Sequence, residues 1–103
     1  MRHSRILLVA ALAVATGGAW ASPEEAMNKA GCMACHAKDK KLVGPSFKDI
    51  AAKYKGQDVA AKLFDKVRKG GSGSFGPVPM APNPADKIND ADLKAAIGVI
   101  LKS

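Results

Sequence analysis

"GCMACHAKDK", Gly31–Lys40, contains both cysteines of the chain, Cys32 and Cys35, with His36 directly after the second. Three chemistries use two thiols and an imidazole at this spacing. A redox dithiol belongs at the start of a helix that follows a strand, and no stretch of this chain alternates with period two for long enough to make a strand. A structural zinc site wants four protein ligands. Apart from His3, the chain offers only Cys32, Cys35 and His36, so a fourth ligand would have to be a carboxylate or come from a second chain. C-x-x-C-H is itself the attachment pattern of a c-type haem. In a helical segment Cys32 and Cys35 stand at i and i+3 and share a face. Each thiol can then add to one vinyl group, giving two covalent thioether bonds, while His36 offers a ring nitrogen to iron. That reading uses both thiols and leaves none to misoxidise.

Upstream, Arg2 and Arg5 precede an apolar run over Ile6–Ala15, and Ala19-Trp20-Ala21 closes it with small residues. A positive start, a short apolar core and an A-x-A ending describe a secretory signal peptide, 1–21, cleaved after Ala21. The run is shorter than the roughly 20 residues that span a bilayer, so stable membrane insertion is not expected. Cleavage takes 21 of the 103 residues and leaves 82, one domain (22–103) close to the size where an apolar core alone is marginal. Removing Arg2 and Arg5 lowers the formal charge from +7 to +5. For an exported, periplasmic protein that balance favours acidic protein surfaces; export argues against nucleic acid. A monomer is the default expectation.

Downstream, helical patterns dominate, and the expected fold class is all-α. Ser22-Pro23-Glu24-Glu25 opens a helix as a capping box with Pro at N1, running to about Gly31 and burying Ala26, Met27 and Ala30. Phe47, Ile50, Ala51 and Tyr54 recur at helical spacing, with Gly56 as the stop. A third helix is expected from about Asp58 to Lys69, with Val59, Leu63 and Val67 on one stripe and Gly70-Gly71 ending it. Asn89 caps a fourth, whose Leu93, Ala96, Ile97, Ile100 and Leu101 fill one face.

Between the last two helices lies Gly70–Pro84, "GGSGSFGPVPMAPNP", too rich in Gly and Pro for helix and too apolar at Phe75, Val78 and Met80 for a plain linker. Long loops without structure of their own are usually functional or disordered. What occupies the second axial position of an iron decides between electron transfer and small-molecule chemistry. Once His3 leaves with the leader, no second His remains. Of the methionines, Met33 lies between the thioether anchors and Met27 belongs to the core face of the first helix. Met80 sits among Pro77, Pro79, Pro82 and Pro84, which stiffen its backbone, and is the expected sixth ligand. A ligating His usually donates its other ring N–H to a carbonyl or carboxylate; a proline carbonyl from Gly44-Pro45 is a candidate acceptor.

"GCMACH", "VGPSFKDIAAKY", "GPVPMAPN" and the terminal amphipathic helix together resemble the short bacterial class I cytochromes c, of the cytochrome c-551 (c8) type, over essentially all of Ser22–Ser103. The resemblance implies four to five short helices around one covalent haem c, the first and last helices crossing. It implies His36 and Met80 as axial ligands, a Pro45 carbonyl accepting the His36 ring N–H, and Asn83 hydrogen-bonding near the Met80 sulfur. The activity it implies is a periplasmic mono-haem electron carrier and not an enzyme. Such carriers often run from a cytochrome bc1 complex to a nitrite reductase, an oxidase or a photosynthetic reaction centre. Three positions depart from the pattern: Phe75 where many relatives have Trp, Lys66 where some have Arg, and Ala81 in place of Pro after the Met ligand. Lys29, Lys38, Lys40, Lys41, Lys48 and Lys53 cluster in sequence around the attachment site and suit an acidic partner. The rival reading is a haem-based sensor or enzyme with an open or displaceable sixth position.

Overall fold

In the computed structural model, which describes residues 22–103, four helices enclose one side of the chain's apolar residues. They are α1 (Pro23–Ala30), α2 (Phe47–Lys53), α3 (Ala60–Lys69) and α4 (Asp90–Leu101), with a single 3-10 turn at Cys32–Ala34. Residues 1–21, expected to be a signal peptide, fall outside the described residues.

Local sequence explains where the helices start. Ser22, Ser46 and Asn89 each accept a backbone N–H three residues on, from Glu25, Asp49 and Asp92, satisfying donors that the first turn leaves free. Ile88 and Leu93 flank the last of these caps at N′ and N4, the positions of a hydrophobic staple, and both are buried. Gly31 ends α1 in the left-handed region at φ 86°, where a residue with a Cβ would be strained.

α1 packs on α4, and Ala26, Met27, Ala30, Phe47, Ile88, Leu93, Ala96 and Ile97 form the core. The alanines let the two helix backbones come close, while Met27 and Leu93 fill the space between; each is 2% exposed. α3 starts at Ala60, two residues later than expected, with Val59 at an N-cap that makes no side-chain hydrogen bond.

The expectation of no strand is corrected by a small antiparallel hairpin, β1 (Gly71–Gly73) and β2 (Gly76–Met80), within the all-α fold. Gly71 pairs with Met80 and Gly73 with Gly76. Gly73 and Gly76 adopt φ 107° and 100°, a backbone that glycine alone reaches without strain. Pro77 and Pro79 are tolerated because, with two strands, each is an edge. No side-chain alternation marks this hairpin, since turn glycines rather than a buried face specify it.

Candidate haem site

The loop after the cysteines folds back on itself. Gly44 N–H donates to the Cys35 carbonyl at 2.8 Å, and Phe47 N–H to the Ala37 carbonyl at 2.9 Å; His36 and Lys41 form an isolated antiparallel bridge. This doubling back sets Gly44-Pro45 against the imidazole. His36 Nδ1 lies 2.7 Å from the Pro45 carbonyl oxygen. A carbonyl only accepts, so Nδ1 carries the proton, and in the neutral imidazole Nε2 keeps its lone pair. The ring stacks on Phe47, centroids 5.6 Å apart with planes inclined by 22°. A Cβ at Gly44 would meet His36 Cε1 at 2.6 Å. Three neighbours thus hold the ring.

Cys32, Cys35, His36 and Met80 all line one cavity of about 410 Å³. Its apolar wall includes Ile50, Leu63, Val67, Leu93, Ile97 and Ile100, drawn from α2, α3 and α4. The helical stripes read from sequence therefore serve two purposes. Leu93 and Ile97 belong to the core and border this space at once, while Leu63, Val67 and Ile100 pack against the core's edge and also face the space. Val43, Phe75 and Val78 also line it and are among the exposed large apolar residues. Cys32 is half-buried, and desolvation pushes its thiol pKa up, with a smaller upward push from Cys35 and an opposing backbone hydrogen bond. Cys35 is exposed.

Met80 ends β2, held by two contacts with the residues that follow α3. It is paired with Gly71, and the chain at Gly70 runs so close to the Met80–Pro82 backbone that a Cβ there would overlap it. Asn83 follows three residues later. Its side-chain amide donates to the Ala81 carbonyl at 3.1 Å and the Val67 carbonyl at 3.4 Å, ties within the loop and to α3.

Phe75 packs edge-on against Tyr54 at 6.3 Å. Lys53 Nζ lies 4.4 Å from the Phe75 centroid and donates to the Ser74 carbonyl. Lys66 and Ala81 are further lining residues. Sequence reading missed the contacts of Gly44, Lys53 and Arg68, which depend on residues distant in the chain. It also missed Ile88, for which the staple pattern with Leu93 is an available signal.

The donor set suits a porphyrin: two thiols, an imidazole with a free Nε2, and a thioether sulfur border one apolar cavity. The family model described as Cytochrome c matches residues 24–101. The chain belongs to the cytochrome c family. As a cytochrome c it holds a covalently bound haem and acts as a mono-haem electron carrier, so redox partners are implied. It is 51% identical over 84 residues to cytochrome c2 of Rubrivivax gelatinosus, covering 81% of this chain and 99% of that protein. To cytochrome c-551 of Pseudomonas aeruginosa it is 45% identical over 83 residues, 79% of this chain and 80% of the relative. Its structure resembles that of wild-type cytochrome c552 from Nitrosomonas europaea, with a TM-score of 0.69 and 44% identity over 77% of this chain and 96% of the other. These likenesses make it a small class I cytochrome c with the all-α fold of that class. Among the described residues, no helix is long and apolar enough to cross a membrane.

Proposed function

We propose that this cytochrome is an exported, periplasmic carrier of single electrons in which Cys32 and Cys35 form the two thioethers and His36 and Met80 are the axial ligands. The single observation that carries the reading is that these four side chains, from two distant parts of the chain, line one apolar cavity. The bound haem supplies the one-electron ferrous/ferric couple.

The chain's own residues do the rest. The Pro45 carbonyl holds the His36 proton on Nδ1 and so aims Nε2 at the metal. Phe47 and Gly44 fix the ring's rotation. Met80, set by its pairing with Gly71, would offer its thioether sulfur as the second protein ligand, a ligand type that raises the potential of a haem. Ile50, Leu63, Leu93 and Ile97 keep water from the cavity, which disfavours the more highly charged ferric state. Lys29, Lys38, Lys40, Lys41, Lys48 and Lys53 are all exposed and give an acidic redox protein an attractive approach. Asn83 stiffens the turn after Met80 through its bonds to Ala81 and Val67.

Two spectra test this on the purified holoprotein. The ferric form is expected to show a weak sulfur-to-iron band in the red, and the Met80→Ala form to lack it. A missing band in the parent protein, with rapid carbon monoxide binding to the ferrous form, would instead establish the sensor or enzyme reading. Acid treatment with organic-solvent extraction checks the thioethers, since pigment that stays with the polypeptide is bound covalently.

A further inference from the structure

Arg68, on the last turn of α3, lines no part of the cavity, yet its guanidinium joins three segments. Nη1 donates to the Asn83 carbonyl at 3.1 Å and to the Ile88 carbonyl at 2.7 Å. Nη2 donates to Asp90 Oδ1 at 2.6 Å. The Phe64 ring lies under it, 5.0 Å from Cζ. The Arg68 side chain is only 16% exposed, while that of Asp90 is 71% exposed. The two carbonyl bonds are therefore the sheltered ones, and the ion pair is screened by water.

Asn83 is gripped at both backbone groups. Its N–H donates to the Val67 carbonyl at 2.9 Å, and its carbonyl accepts from Arg68. It forms a fixed point three residues after Met80, as Gly70 and Gly71 form one before it. One fixed point directly follows the C-terminal end of α3 and the other is tied to its last turn. Through Ile88 and Asp90 the same guanidinium ties that end to the start of α4, the helix that packs on α1.

We infer that Arg68 is a positioning residue for Met80: it anchors the chain behind the sulfur and so sets how easily that sulfur is displaced from iron. The inference rests on Met80 being the sixth ligand. A planar guanidinium bridges three acceptors in fixed directions, whereas a lysine ammonium is a compact point charge and does not. Losing sheltered hydrogen bonds to a charged donor is large enough to change an equilibrium by tenfold or more.

The test is a titration of the ferric holoprotein with imidazole, following loss of the red band, on the parent, Arg68→Lys, Arg68→Met and Asp90→Asn. Helix content is followed in parallel by far-ultraviolet circular dichroism. Both Arg68 variants are expected to bind imidazole about tenfold more tightly or better than the parent, with helix content at the parental level. Asp90→Asn keeps both carbonyl bonds and is expected to change binding less than about twofold. Parent-like binding in both Arg68 variants would overturn the inference, as would loss of the band only in step with loss of helix. If the parent itself lacks the band, the assignment of Met80 fails; a band in the parent with unaltered Arg68 variants defeats only the role of Arg68.

Discussion

Gly44 lies against the face of His36 so closely that a Cβ on it would come within 2.6 Å of Cε1, 3.0 Å of Nδ1 and 3.2 Å of Nε2. The imidazole is already stacked on Phe47 and tied to Pro45, so it has nowhere to retreat without breaking one of those contacts. Gly44→Ala is expected to destabilise the holoprotein by about 1–3 kcal/mol and to shift the reduction potential. A thermal melt and a voltammogram check the two effects; a variant that matches the parent in both contradicts this account of the ring's confinement.

Gly70 combines φ 69° with ψ −155°, and its α-carbon faces the backbone of Met80 and Pro82. Gly70→Ala meets both a backbone conformation that side chains avoid and a collision with main chain, at a cost of order 1–3 kcal/mol from strain alone. The expected result is a weakened red band at a temperature where α1 and α4 remain folded. Helix loss and band loss coinciding would show that no local effect exists.

Lys53 joins α2 to the hairpin through the Ser74 carbonyl and the Phe75 ring. Lys53→Met keeps much of the side-chain bulk and removes the charge. A cation–π contact at an exposed site is worth about 0.5–1 kcal/mol, which for a domain of this size lowers Tm by several degrees. Calorimetry reads the shift, and an unchanged Tm would mean that the hairpin is held without Lys53.

Arg68–Asp90 is the one ion pair formed among the described residues, so the lysines around the attachment segment carry charge that neighbouring carboxylates do not neutralise. The second-order rate of electron exchange with an acidic redox protein should fall steeply as salt is raised from 0.01 to about 0.15 M, because the Debye length shrinks from about 30 to 8 Å. Stopped-flow rates that ignore ionic strength would remove the lysines from any role in steering.

Much of the helical frame is legible in the sequence because helix signals are local. Ser22 and Asn89 announce their helices, and Leu93, Ala96 and Ile97 announce the buried face of α4. Cys32, Cys35 and His36 are legible for the same reason, being adjacent in the chain. The hairpin is not, since Gly71 and Met80 pair through backbone groups and no side-chain pattern records it. Nor is the second use of the apolar stripes: Leu63 and Val67 read as core in sequence and do pack against it, yet they also line the cavity. Arg68 reads as an ordinary basic residue at a helix end. Its place as a junction exists only once residues 83, 88 and 90 are folded beside it.

The interior of this molecule is thin in protein. Three of the eight core residues are alanine, and longer side chains such as Leu63, Val67 and Ile100 face the cavity of about 410 Å³. Apolar side chains turned toward an unfilled space lack packing partners, and a small domain has only about 5–15 kcal/mol of stability to lose. The polypeptide is therefore expected to depend on the occupant of this cavity for its shape. A Cys32→Ser, Cys35→Ser chain should accordingly give the far-ultraviolet spectrum of a largely unfolded polypeptide. That outcome would make the folding of this chain a consequence of filling its interior rather than a condition for it.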